Sequence, residues 1–506
     1  MIFFSENHRK WWVLTGVSIA SFLGCIDFTI VNTALPAIRA DLHATVAELQ
    51  WIINIFLLAL SAFMVVMGRM ADLYGRRRVL YLGAICFGLA SLGAGLVTNI
   101  NWLIAFRFAQ GVSCAILYTA SGAIVSNAFP EEERGKGIGL LFGVNGLGLA
   151  IGPVIGGIIV STLGWRWIFL INVPLIVLSL LICTVSVTES KNKEQGTTLD
   201  WGGLIFLITG LSACIVVLSL GSEWGWLSFS TLGLLIISVV ALVIFYHIEQ
   251  RVSAPILQLH LFKNRTFIGA AIANAALAFF YCLAFFLMPL YLHTIKDLEG
   301  YQIGMMLLPT TAMVALLSPI VGRLTDRMGV KIILVSGFLF FAISAFLQTL
   351  FSEYSSLFSI AIAFTLMGIG WACVLGPSTV AALSSVPERM GAVAMGSSWT
   401  VHNIGGAVGL AFGLLLYQQV ATSSLLLKLG AFGVAPGQWV EKVIAEPEGA
   451  LSALHQHAGL DLADALNVFH TFFIEGYRAA MGLLLAISLS VLCILWMTLK
   501  RQQSKQ

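Results

Sequence analysis

The sequence predicts an all-α integral membrane protein of fourteen transmembrane helices, two six-helix bundles with two further helices inserted between them. Three observations predict it. Of 506 residues, 58% are hydrophobic and only 10% charged, where a soluble domain has about a quarter charged, and mean hydropathy is +0.94. Apolar runs of membrane-crossing length recur along the whole chain. A charged loop motif in the front half returns, in register, in the rear half.

The apolar runs fall at roughly 11–35, 50–70, 79–98, 101–126, 137–161, 166–188, 200–221, 228–247, 266–293, 302–323, 331–351, 355–379, 392–416 and 472–498. Each holds about the 20 residues that a span needs. An even number puts both termini on one side, and positive charge chooses the side. The termini and the even-to-odd loops, with their helix ends, hold 20 of the 27 Lys and Arg, including Arg76, Arg77, Arg78, Lys136 and Lys331. Both termini are therefore expected in the cytoplasm. Trp11, Trp12, Trp102, Trp165, Trp167, Trp201, Trp224 and Trp226 lie near span ends, as interfacial anchors do. "MIFFSENHRKWW" lacks a small-residue cleavage site, so the first span is expected to be retained. The eight cysteines all fall in apolar runs and form no CxxC pair, which reads as small buried hydrophobes rather than a disulfide or zinc framework. A net charge of +3 gives no reason to expect nucleic acid.

"GRMADLYGRRR" starts at Gly68, after the second span, and "GRLTDRMGVK" at Gly322, after the tenth. They share Gly-Arg-x-x-Asp-x-x-Gly at an offset of 254 residues. The copies are eight helices apart, where two six-helix halves would put them six apart, so the helices near 200–247 read as an insertion. The expected division is 1–188 for the front bundle, 189–262 for the inserted pair with its linkers, and 263–506 for the rear bundle with a long outer loop at 418–470. Related halves around a central cavity are the architecture of alternating-access transporters.

Asp27 lies inside the first span, where a carboxylate costs several kcal/mol or more. It precedes Pro36 by nine residues, about 13 Å below the outer end at 1.5 Å per residue. Arg107 is six residues into the fourth span, about 9 Å below the same surface. Opposite charges at similar depth lower each other's burial cost and make either a proton-handling pair or a structural one. The rear half has no equivalent pair; it offers aromatic residues, among them Phe280 and Tyr281, with Asn274 nearby. Aromatic faces suit flat or cationic hydrophobic compounds. His402, in the thirteenth span, is a second titrating or substrate-contacting candidate, or a hydrogen-bonded packing residue. The expected substrate cavity comprises Asn274, Phe280, Tyr281, His402 and Gln110, the last beside Arg107.

In the 68–78 loop, Gly68 and Gly75 allow a tight turn and close approach. Asp72 can accept from Arg76 or face the positive end of a neighbouring helix. With its copy at Asp326 and Arg327, this cluster reads as a conformational switch, or else as a basic loop that only fixes topology. In the fifth span Gly148, Gly152 and Gly156 recur every four residues and make a flat strip for close helix packing, while Pro153 removes a backbone donor. The outer loop alternates polar and apolar residues at helical spacing over 439–473, which fits two short amphipathic helices where a periplasmic accessory protein could dock. His455, His457 and His470 have no carboxylate at ligand spacing, so no metal site is expected.

Together these segments resemble the major facilitator superfamily, in its fourteen-helix drug:proton antiporter branch of multidrug efflux type. The resemblance covers nearly the whole chain. "GRMADLYGRRR" is similar to the family's loop motif between helices two and three, with Leu73 where a basic residue is usual; "RFAQG" (107–111) matches its fourth-helix motif. "GLAIGPVIGG" (148–157) matches the fifth-helix motif associated with antiporters, and "DFTIVNTALP" (27–36) and "WRWIFLINVP" (165–174) resemble segments of the fourteen-helix branch. The resemblance implies a proton-coupled exporter of amphipathic compounds or drugs in a bacterial cytoplasmic (inner) membrane, with Gly68, Asp72, Gly75 and Arg76 in the switch. The alternative is a dedicated proton-coupled carrier of one metabolite, such as a siderophore or a lipid. No HExxH, GxSxG or P-loop is present, so neither an enzyme nor ATP-driven transport is expected, and no cofactor.

Overall fold

The computed structural model describes residues 6–44, 46–190, 200–252, 261, 263–298, 300–387, 390–432 and 461–499. Its fourteen long helices, all apolar enough to cross a membrane, are α1 (Glu6–Leu42), α2 (Val46–Tyr74), α3 (Arg76–Leu96), α4 (Ile100–Ala128) and α5 (Arg134–Leu163). Then come α6 (Trp167–Ser186, in two pieces), α7 (Trp201–Trp224), α8 (Phe229–Glu249), α9 (Arg265–Thr294) and α10 (Gly300–Met328). The last are α11 (Val330–Thr349), α12 (Leu357–Ser384), α13 (Gly391–Ala431) and α14 (Leu462–Thr498). The chain is a multi-pass membrane protein, and among the described residues there is no strand.

Helix starts are written locally. Asn99, Asp200, Ser228, Asn264, Ser356 and Asp461 each place a side-chain oxygen on a free first-turn N–H. The α2–α3 and α10–α11 turns each pass through a glycine in the left-handed region, Gly75 at φ 107° and Gly329 at φ 82°. A Cβ disfavours that region, which explains the second glycine of both motif copies.

Helices α1–α6 form one bundle and α9–α14 the other; α5 crosses onto α10 and α2 onto α13. The inserted α7 and α8 pair with each other, Ser238 donating to the Gly210 carbonyl at 2.9 Å, and α7 lies against α2 and α13, at the seam of the two bundles. Much of α8 shows Leu232, Leu235, Ile236, Val239 and Val243 outward, as a lipid-facing helix does.

The long outer loop is shorter than expected. Helix α13 continues through 418–431 and α14 begins at Leu462, ahead of the expected 472, so the expected loop 418–470 loses both ends to helix. At 41 residues α13 is about 60 Å long, twice the hydrocarbon thickness, and projects beyond it. Of the stretch 439–473 expected to form two amphipathic helices, residues 439–460, with His455 and His457, lie outside the described residues, while 462–473, with His470, is the start of α14.

Candidate functional site

The charges in the front bundle meet. Arg107, on α4, donates through a terminal nitrogen to Asp27 Oδ2 on α1, and to Gln110 Oε1 at 3.0 Å. Its Nε donates to the Ile52 carbonyl at 3.1 Å, and its guanidinium lies 4.2 Å from the Phe56 ring centroid, both on α2. The other carboxylate oxygen, Oδ1, accepts from Gln110 Nε2 at 3.4 Å and Asn172 Nδ2 at 3.3 Å. Both amides also reach Ser91 Oγ on α3, at 2.8 and 3.4 Å. Asp27, Arg107, Gln110, Asn172 and Ser91 are all buried. Five helices of one bundle thus converge on a single ion pair. Both charges carry hydrogen bonds beyond the one they share, the condition under which a buried pair is tolerated.

At the end of the molecule that carries Arg76–Arg78 and Lys136, here called the basic end, the two motif copies make matching contacts across the bundles. Asp72, at the end of α2, accepts from the Ala392 N–H at 3.2 Å and the Val393 N–H at 2.8 Å, the first turn of α13. It also takes Arg76 Nε at 2.9 Å and a terminal Arg76 nitrogen at 2.8 Å. Asp326, at the end of α10, accepts from the Gly135 N–H at 2.7 Å and the Lys136 N–H at 2.9 Å, the first turn of α5. Each aspartate therefore sits on the positive N-terminus of a helix in the other bundle. Gly68 and Gly322 make room for it: a Cβ at either position would fall on the Ala392 or Gly135 carbonyl oxygen. Arg327, expected to share the rear cluster, is exposed instead. The register explains this, since the position equivalent to Arg76 is Val330.

On α5, Gly148, Gly152 and Gly156 face α1, where a Cβ would meet Phe22, Thr29 and Thr33 respectively. The glycine strip therefore seats α5 on α1 within one bundle. Pro153 lies within the same helix.

Rings bridge the bundles at the centre. Tyr118 of α4 stacks on Trp399 of α13 at 5.8 Å and 8°, and Phe142 of α5 lies 6.1 Å from the same indole. Trp399 is 4.7 Å from His402, His402 is 5.7 Å from Tyr281, and Tyr281 stacks on Trp371 of α12 at 4.6 Å. His402 is buried. Its Nδ1 faces two acceptors, the Asn274 carbonyl at 3.0 Å and Asn274 Oδ1 at 2.9 Å, so Nδ1 carries the proton. Nε2 is 3.4 Å from the Tyr281 hydroxyl. Tyr118 OH lies 3.0 Å from Cys25 Sγ, two residues from Asp27.

Of the residues expected in the substrate cavity, Tyr281 and His402 belong to this central row. Asn274 stands behind it, buried, donating to Ser398 O and Oγ at 3.2 and 3.0 Å. Gln110 belongs to the ion-pair network instead, because its amide satisfies Asp27, Arg107 and Ser91. Phe280 is turned into the rear bundle against Phe341, ring centroids 4.4 Å apart. Sequence reasoning missed Ser91, Asn172, Trp371 and Trp399. Asn172 carried a signal, an amide within the apolar "WIFLINVPLIV" (167–177). Among the described residues no group of His, Cys, Asp and Glu could hold a metal ion.

The chain is similar to curated transport and resistance proteins. It is 30% identical over 484 residues to the multidrug resistance protein Stp of Mycobacterium tuberculosis, covering 94% of this chain and 89% of Stp. It is also 30% identical over 439 residues to the riboflavin transporter RibZ of Clostridioides difficile, covering 85% of this chain and 94% of RibZ. In fold it superposes on the human organic anion transporter MFSD10 with a TM-score of 0.60 at 14% identity, over 96% of this chain and 99% of that one. The profile of the Major Facilitator Superfamily matches residues 17–410, and the chain belongs to that family of transporters.

Proposed function

We propose that the protein is a proton-coupled antiporter that exports amphipathic organic compounds by alternating access. The observation that carries this reading is Asp27, a carboxylate wholly buried among spans and bonded to Arg107 and two amides. Protonation removes the charge that holds Arg107 and weakens the contacts drawing α1, α4 and α6 together. A proton taken up from the outer side and released inward then drives outward movement of the cargo. Loss of the buried charge is worth several kcal/mol, enough to shift a two-state equilibrium by orders of magnitude.

The basic end is taken as cytoplasmic by the positive-inside rule, with both termini there, in the inner membrane of a bacterium. The Asp72 and Asp326 contacts then hold the cytoplasmic gate shut in this structure, and their release opens it. Stp supports multidrug efflux by its name; RibZ, by its name, favours the second reading, a dedicated carrier of one metabolite.

The test is substrate-driven proton release in inverted vesicles, for wild type and Asp27→Asn, against a panel of lipophilic dyes. The asparagine keeps the shape and one acceptor, so dye binding persists while coupled proton release disappears. Coupling that survives the substitution would make Asp27 structural. Silence of the wild type across the panel, with release driven by a single metabolite, would favour the dedicated carrier.

A further inference from the structure

The central row of rings carries polar edges that have no partner among the described residues. Among the described residues, neither Trp371 Nε1 nor Trp399 Nε1 has an acceptor, although both atoms are shut off from solvent. Trp371 is only 6% exposed. One turn from Phe142 on α5, the Asn145 carbonyl oxygen is likewise buried without a donor, in a side chain 5% exposed. An indole N–H buried without an acceptor costs about 1–3 kcal/mol, and native structures leave few buried polar groups without a partner. The two indoles are members of the row of rings that joins α12 and α13 to α4 and α5, and Asn145 follows Phe142 by one turn on α5.

The charges near the row matter as much. Among the described residues, the hydrogen bonds of Tyr118, Tyr281 and His402 involve no carboxylate. Asp27, two residues from the Cys25 that meets Tyr118, is already engaged by Arg107, Gln110 and Asn172. A cation placed here would find ring faces, two N–H edges of the wrong polarity and, among the described residues, no carboxylate bonded to those rings.

We infer that this row is a recognition site for neutral, flat, polycyclic aromatic compounds bearing carbonyl oxygens at their edge, with Trp371 and Trp399 as the donors and Asn145 as the acceptor for a cargo hydroxyl or N–H. The inference rests on the export reading and narrows its substrate class. Ring faces supply stacking on any flat aromatic outline; the two indole edges select acceptor-bearing compounds over hydrocarbons and cations of the same outline.

The test compares three probes of one three-ring outline on the purified full chain in nanodiscs: 1,8-dihydroxyanthraquinone, 10-methylacridinium and anthracene. Trp371→Phe and Trp399→Phe keep a stacking ring and remove the N–H; β-(3-benzothienyl)alanine at either position keeps the bicyclic shape as well. Each change is expected to weaken dihydroxyanthraquinone about tenfold, the loss of one buried hydrogen bond, and to move the other two less than twofold. Equal losses for all three probes would reduce the indoles to packing, and no loss for the quinone would overturn the assignment. So would wild type that binds the acridinium more tightly than the quinone. Proton release is measured separately. Quinone binding without it would sink the antiport reading and leave this site standing; proton release driven by other compounds, with no quinone binding, would do the reverse.

Discussion

Taking a carboxylate and a guanidinium out of water costs several kcal/mol per ion before their attraction is counted, so the Asp27–Arg107 pair persists only because Gln110, Asn172 and the Ile52 carbonyl complete it. Asp41 is the opposite case. It lies beyond the α1 span at the end away from the basic one, where Arg166 holds it at 2.8 Å and Trp165 Nε1 at 3.2 Å. The Arg166 hydrogen bond, helped by that of Trp165, keeps its carboxyl below the usual range. A lowered pKa stabilises the fold above the unfolded-state value near 4, and that contribution fades only as pH falls through the still lower folded value. Between pH 5.5 and pH 8, Asp41 therefore stays ionised. Asp41→Asn is expected to lower the melting temperature slightly and leave the pH profile of transport where it was; a displaced profile would move proton handling to this surface pair. The charged pair was legible in the sequence because acids and arginines are rare in apolar runs. Its amide partners were not, since a single Asn or Gln in a span has many uses and only the three-dimensional convergence of α3, α4 and α6 on Asp27 selects one.

Among the elements, α5 does two tasks on two faces. Gly135, Gly139 and Gly143 bring it against α10, while Gly148, Gly152 and Gly156 seat it on α1. The four-residue spacing announced the second strip, but not which helix it meets. A methyl at 152 would overlap Thr29 Oγ1, and such overpacking costs about 1–3 kcal/mol. Gly152→Ala should lower the melting temperature in detergent accordingly, and adding Thr29→Ala should recover much of the loss, because the hydroxyl is the obstructing atom. A Gly152→Ala variant as stable as wild type would mean that α5 and α1 are not tightly seated. Helix α13 shows the reverse limit of sequence reading. Gln418, Gln419, Thr422 and Ser423 end the apolar run, yet the helix continues through them, Thr422 and Ser423 bonding back to the carbonyls four residues earlier at 2.7 and 2.9 Å. Hydropathy reports which part of a helix lies in lipid, and says nothing about where a polar helix stops.

For the molecule as a whole, the two copies of the loop motif are equivalent in plan but unequal in strength. Both aspartates cap a helix of the opposite bundle. Asp72 is buried and bonded to Arg76 as well, whereas Asp326 is half-buried, with Val330 where an arginine would stand. Its charge is the better screened of the two. If both hold the same gate, Asp72 contributes more to keeping it shut. Asp72→Asn exchanges two charge-assisted backbone bonds for neutral ones at best, a loss of about 2–3 kcal/mol, which is about a 30- to 150-fold shift in the open-to-closed ratio. Asp326→Asn should shift it less than about tenfold. Tyr74 and Met328 are exposed, occupy corresponding positions of the two copies and belong to opposite bundles, so spin labels there, on a chain freed of its native cysteines, report the opening directly. A longer-distance population that grows strongly in Asp72→Asn and weakly in Asp326→Asn supports an unequal double latch. Equal growth would make the Arg76 contact irrelevant to gating, and unchanged distances in both variants would leave the motif as a fixed joint between the bundles.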